Sequence, residues 1–182
     1  MGTNSMPQTG RVPREGPRPP DEAPDAGWRR AGFRTPAGRA AFDAWYEAVR
    51  AASRVDWALE TVPTPWGPTR VAVAGPADGR PLVFLHGWSG NGMIWEITGG
   101  LHRLLDRYRL YLVDVIGQPN GSSPRTPHPA GPGYGQWLDG LCERLGIASA
   151  GWVGMSFGGF LIARLALEAP RRVARAALLA PA

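Results

Sequence analysis

The sequence predicts an α/β domain, a mostly parallel sheet with helices on both faces. Three observations carry that expectation. From Trp57 onward an opening pair of alternating runs gives way to strand-like and helix-like patterns that succeed one another through the rest of the sequence. Pro81 to Leu85 is continuously apolar and Arg109 to Val113 nearly so, as suits strands covered on both faces. Ala150 to Phe160 passes from a short apolar run, through a glycine-flanked serine, straight into a helical pattern.

Met1 to Arg34 is crowded with proline, glycine, arginine and acids and shows no apolar period, so it is expected to be disordered. The interspersed acids suit a solvated leader, or a start placed upstream with Met6 as the other candidate, better than a nucleic-acid arm. Residues 35–55 form a leading amphipathic helix: Thr35-Pro36 is a cap followed by a first-turn proline, and Phe42, Trp45, Tyr46 and Val49 recur at helical spacing as a packing stripe. Residues 56–182 make up the α/β domain. Period-two runs from Trp57 to Val62 and Thr69 to Ala74, joined by a turn over Pro63 to Pro68, read as a hairpin. A helix is expected over much of Met93 to Arg107, with a break at Gly99-Gly100. Asp114 to Gly133 is loop. Tyr134, Trp137, Leu138, Leu141 and Leu145 mark a helix face closed by Gly146. Phe157 to Ala169 is helical up to Pro170, and Val173 to Ala180 is a last apolar strand.

Composition narrows the classes. With 43% hydrophobic and 19% charged residues, the 182-residue chain can bury one sizeable core. The formal charge of +5 comes entirely from arginine, and the first forty residues hold most of the excess, so no basic face for nucleic acid is expected on the folded part. Cys142 is the single cysteine, which excludes an intrachain disulfide and reads as a small buried hydrophobe. Neither a signal peptide nor an apolar run approaching ~18 residues is present, so the cytoplasm and no membrane partner are the default expectations.

The chemistry centres on Gly154, Ser156 and Gly158, a G-x-S-x-G pattern. A serine at a sharp strand-to-helix turn has a strained backbone, and the residues two before and two after it must be small. Gly159 relaxes the crowding further. Such a turn lifts the hydroxyl above the carboxyl edge of a sheet, beside the first N–H groups of a helix, where negative charge is favoured. The bland alternative is a glycine-rich connection or phosphate cradle, but no G-x-G-x-x-G and no lysine for a Walker motif is present. His86-Gly87-Trp88 closes the Pro81 strand, where glycine permits a sharp turn that aims backbone N–H groups into a cleft. The amides of Trp88 and Phe157 are the candidate oxyanion donors, and the His86 ring reads as structural. No metal ligands or cofactor motif are expected.

Three ordered motifs, FLHGW at Phe84 to Trp88, LVDVIG at Leu112 to Gly117 and GMSFGG at Gly154 to Gly159, make the chain from about Trp57 resemble the α/β-hydrolase family, in particular its bacterial carboxylesterase-like members. The resemblance implies that Ser156 is the nucleophile, that the Trp88 and Phe157 amides form the oxyanion hole, and that the substrate is a small ester or related acyl compound. Many members read D-x-x-G-x-G-x-S after the acid, and here Pro119 stands in place of the second glycine. Asp114 reads as a holder of that loop rather than as the catalytic acid.

The family triad runs serine, acid, histidine, whereas neither histidine nor aspartate follows Ser156 here, and Glu168 is the only later acid. His102 falls in a helix pattern and His128 in the proline-rich loop, neither at the family's place for a base. The expectation is therefore a domain lacking the last strands, the lid, and the triad acid and base. It is expected to be inactive alone and to self-associate through an exposed sheet edge. Ester hydrolysis is the central reading, with perhydrolysis, carbon–carbon bond hydrolysis and acyl transfer sharing the same elbow. A non-catalytic binding module on the same sheet is the alternative, and an arginine-tailed nucleic-acid binder a third.

Overall fold

The computed structural model describes residues 32–97 and 99–182; the expected disorder of the N-terminal tail therefore falls, up to residue 31, outside the described residues. Helix α1 (Pro36–Ala52) starts as its sequence dictates, with the Thr35 hydroxyl accepting the Gly38 N–H at 3.0 Å and Pro36 in the first turn. Six strands follow: β1 (Ala58–Thr64), β2 (Gly67–Ala74), β3 (Arg80–Leu85), β4 (Tyr108–Val113), β5 (Ala150–Met155) and β6 (Val173–Leu179). They form one sheet in the order β1-β2-β4-β3-β5-β6. β1 and β2 are an antiparallel hairpin with Thr64 opposite Gly67, β2 runs antiparallel to β4, and the remaining pairs are parallel. Between strands lie a single turn α2 (Ile94–Ile97) and helices α3 (Gly133–Arg144) and α4 (Phe157–Glu168).

Strand alternation divides the apolar residues between two cores, one on each face of the sheet. Val71 and Val73 of β2, Val83 and Leu85 of β3, and Tyr111 and Val113 of β4 pack with α3 and α4. Their neighbours Ala72, Ala74, Phe84, Leu110 and Leu112 pack with Tyr46 of α1 and with Met93, Trp95 and Leu101. The buried indoles of Trp137 and Trp152 find polar partners. The buried Trp137 indole donates to the Thr69 hydroxyl at 2.9 Å, pinning α3 to β2. At the end of α3 the Gly146 and Ile147 N–H groups return to the carbonyls of Glu143 and Cys142, a Schellman closure at the glycine that marked it in sequence. Cys142 is buried, and burial pushes its thiol up to about 12.

Three expectations need correction. The helix expected over much of Met93 to Arg107 is only α2 and a 3-10 turn at Leu101–Leu104, because Gly99 and Gly100 both adopt left-handed backbone and end it after one turn. The hairpin strands run into the expected turn, leaving Pro65 and Trp66 at its tip. Within the α1 stripe Tyr46 is fully buried and Phe42 and Val49 partly so, but Trp45 is exposed; four-residue spacing from Phe42 selects Tyr46 for the sheet and rotates Trp45 off it. β6 lies at the sheet edge with Leu178 and Leu179 about half exposed. No helix among the described residues is long and apolar enough to cross a membrane.

Candidate active site

The carboxyl ends of β3, β4 and β5 bring the sequence motifs together. Ser156 stands between the last residue of β5 and the first of α4 with φ 50° and ψ −117°, a backbone region that side-chain-bearing residues seldom occupy. Its N–H donates to the Leu179 carbonyl of β6 at 2.9 Å, and its own carbonyl accepts from Gly159 at 2.8 Å, so the strained turn is tied on both sides. The spacing of the flanking glycines follows from contact. A Cβ on Gly154 would lie 2.6 Å from the Gly158 carbonyl, and one on Gly158 would drive into the Leu85 carbonyl oxygen. Gly159 is close-packed under Pro181.

The His86-Gly87-Trp88 segment leaves β3 beside this turn. A Cβ on Gly87 would sit 3.6 Å from that of Ser156. The ring of Trp88 meets the ring of Phe157 edge-on at 5.0 Å, and Phe157 in turn stacks on Phe160. Neither the Trp88 nor the Phe157 amide N–H has an acceptor among the described residues. Free donors at the start of a helix and on the facing loop suit a developing anion.

His86 is fully buried. Val115 N–H can only donate, so Nε2, 3.0 Å away, is the unprotonated nitrogen, and Nδ1 carries the hydrogen that it gives to the Gly87 carbonyl at 2.7 Å. Both nitrogens are thereby engaged in holding the loop. Burial lowers the pKa of the ring, outweighing the opposing pull of the Gly87 carbonyl and Asp114. The unfolded chain thus binds a proton more readily than the folded one, and stability is lost as pH falls below the ordinary histidine value of about 6.5. Thermal unfolding from pH 7 to 5 is expected to show this loss, and His86→Gln is expected to remove most of it. Asp139, whose carboxylate is held down by Arg172 and Arg171 against the upward push of burial, adds its own loss only at lower pH.

Asp114 follows β4 and is completely buried. Its Oδ1 accepts the Gly92 N–H at 2.7 Å, and its Oδ2 accepts the Gly121 N–H at 2.9 Å and Arg70 Nε at 2.8 Å. The Arg70 guanidinium lies 3.7 Å over the Tyr46 ring. The carboxylate therefore joins two loops to β2 and α1, and every contact it makes is a structural one. The proline substitution in the motif is accommodated by a three-residue turn in which the Asn120 N–H returns to the Gln118 carbonyl at 2.8 Å across Pro119. Gln118 and Asn120, both buried, went unremarked in sequence; two amides in a stretch, residues 117–124, otherwise built of proline, glycine and serine were the available signal.

The other histidines lie elsewhere. His102 sits with Val49 and Ser53 beside the C-terminal end of α1, on the face of the sheet opposite α4. His128 is exposed, its Nδ1 accepting the Ala130 N–H, in a loop that Arg164 binds through the Gly131 carbonyl. Arg164 is two turns along α4, roughly 12 Å from Ser156 at 1.5 Å per residue. Among the described residues no group of three or more histidine, cysteine or acidic side chains is placed to hold a metal ion.

The fold has relatives among known proteins. Residues 80–182 match the model of the alpha/beta hydrolase fold family. The chain is 36% identical over 121 residues to the uncharacterized carboxylesterase nap of Bacillus subtilis strain 168, covering 66% of this chain and 40% of the relative. To carboxylesterase YbfK of the same strain it is 32% identical over 130 residues, covering 69% and 43%. The crystal structure of naproxen esterase (carboxylesterase NP) from Bacillus subtilis superposes with a TM-score of 0.70 at 30% identity, covering 77% of this chain and 48% of that one. The chain thus spans about two fifths of the length of the curated relatives it matches.

Proposed function

The chain belongs to the α/β-hydrolase fold family, and from that premise we propose that it carries the nucleophile and the oxyanion donors of a serine esterase acting on small carboxylic esters. The observation that carries the reading is the strained Ser156 turn, close against Gly87, with the neighbouring amides of Trp88 and Phe157 both unengaged. In this reading Ser156 Oγ adds to the ester carbonyl, and the carbonyl oxygen, now anionic, takes both N–H groups. Collapse expels the alcohol and leaves an acyl-serine that water releases as the acid. Trp88, 64% exposed against Phe157, offers an apolar surface to the acyl or alcohol group. Support for a carboxylic ester, over the other reactions that share the elbow, comes from the carboxylesterases among its relatives.

The attacking hydroxyl must lose a proton, and the ring of His86 is committed to the loop while neither His102 nor His128 is hydrogen-bonded to Ser156 among the described residues. A serine in an oxyanion site but without a base retains part of its reactivity, because the two contributions are separable. The expected behaviour of the 182-residue chain is therefore negligible turnover of a short-chain aryl ester together with slow phosphonylation by a fluorophosphonate probe. Peptide mapping should find the adduct on Ser156, and Ser156→Ala should abolish it. Robust turnover abolished by Ser156→Ala would mean that a base is at hand, while labelling spread over several serines, or unchanged in Ser156→Ala, would favour a non-catalytic binding module.

A further inference from the structure

We infer that Gln118 is a positioning residue for the loop that presents the Trp88 amide, an inference that deepens the esterase reading and rests on it. Ser89, next after Trp88, is held at φ 58°, and among the described residues only Ser156 and Ala180 share a positive φ without being glycine. A left-handed serine needs an external tie. The Ser89 N–H donates to Gln118 Oε1 at 2.7 Å, across 29 residues of sequence. Because that N–H can only donate, the atom facing it must be the amide oxygen, which settles the orientation of the side chain.

The planarity of the peptide bond turns this contact into control of the donor. Fixing the Ser89 N–H fixes the plane of the Trp88–Ser89 peptide, while the Trp88 N–H lies in the preceding peptide, whose Gly87 carbonyl is held by His86 Nδ1 and the Gly90 N–H, so Gln118 anchors Trp88 from its C-terminal side. The next peptides are gripped from the same side. Asn120 Nδ2 donates to the Gly90 carbonyl at 3.3 Å and to the Val115 carbonyl at 2.9 Å, while its Oδ1 accepts the Ser122 N–H at 2.9 Å. Asp114 holds Gly92. Three side chains of one loop thus hold residues 89, 90 and 92, and of these three only the Gln118 contact adjoins Trp88, opposite the His86 contact on the Gly87 carbonyl.

Gln118 is 1% exposed, yet its Nε2 has no partner among the described residues. A buried amide with an idle donor is costly for the fold, so stability alone would favour an apolar side chain of similar size. What the glutamine provides is its acceptor, aimed at the strained serine.

The test uses the full 182-residue chain with Gln118→Leu and Gln118→Glu, reading phosphonylation at Ser156, thermal midpoint and amide exchange at Ser89. In Gln118→Leu, labelling is expected to slow about tenfold or more, since misplacing a reacting group by about 1 Å can cost a hundredfold. Ser89 exchange should rise about tenfold or more while Gly92, held by Asp114, keeps its protection. Gln118→Glu, which retains an acceptor at the same place, should recover most of the labelling rate whatever its midpoint. Labelling of Gln118→Leu at the unaltered rate, or a glutamate variant as slow as the leucine one, would overturn the inference. If the unaltered chain is not labelled at Ser156, the nucleophile reading fails, and the positioning role is then decided by Ser89 exchange: a selective rise supports it and an unchanged rate overturns it.

Discussion

Gly158→Ala is expected to destabilise the fold by about 3 kcal/mol or more, at the upper end of what overpacking costs. The added methyl would drive into the Leu85 carbonyl oxygen and lie 3.0 Å from that of His86, both on the backbone where β3 becomes the Trp88 loop. No flexible side chain can swing away, so either α4 must lift from the sheet or the loop must shift. Each movement separates Ser156 from the Trp88 amide. Against a net stability of about 5–15 kcal/mol such a loss leaves a marginal protein. Gly140→Ala is the control: its methyl would meet nothing closer than Pro65 at 3.9 Å, and alanine inside α3 should stabilise by about 0.5–1 kcal/mol. Urea unfolding of the two variants measures both signs. A Gly158→Ala chain within about 1 kcal/mol of the unaltered one would show that the close approach is not what fixes a glycine there.

Asp114→Ala is expected to be as damaging, about 3–5 kcal/mol, because it removes one member of a buried ion pair and leaves the other. Arg70, packed over the Tyr46 ring, would keep only the longer ion pair to Asp43 at 3.8 Å, and the Gly92 and Gly121 N–H groups would lose their acceptor. Replacing both partners, as Arg70→Met with Asp114→Leu, should recover part of the loss by removing the weakly paired charge, though the two amides stay unpaired. Equilibrium unfolding of the single and double variants separates these contributions. Recovery to full stability would mean that the glycine amides matter little.

The elbow was legible in sequence because its constraint is local: a strained serine needs small residues at fixed offsets, and Gly154 and Gly158 touch each other and Leu85 as that spacing requires. The sheet was legible because apolar runs of strand length alternate with helical ones, and both cores drain from that pattern. Reading failed where two rules competed. The apolar spacing through Met93 to Arg107 suits a helix; the break at Gly99-Gly100 was foreseen, but the paired left-handed glycines leave only single turns on either side of it. The scaffold under the Trp88 loop was hidden for a different reason. Gln118, Asn120 and Asp114 act through side-chain to backbone bonds spanning some 20 to 30 residues, and such bonds leave no periodic trace. Asp114 was foreseen as a loop holder only because it ends a strand in a known motif.

If Ser156 and the amides of Trp88 and Phe157 form one acyl-transfer site, as proposed, the crystal structure of the phosphonylated chain will show it. A single adduct is expected on Ser156 Oγ, its phosphoryl oxygen about 2.7–3.1 Å from both amide nitrogens, the span of an oxyanion position. An adduct on Ser156 whose oxygen points to solvent, with either amide bonded elsewhere, would contradict it.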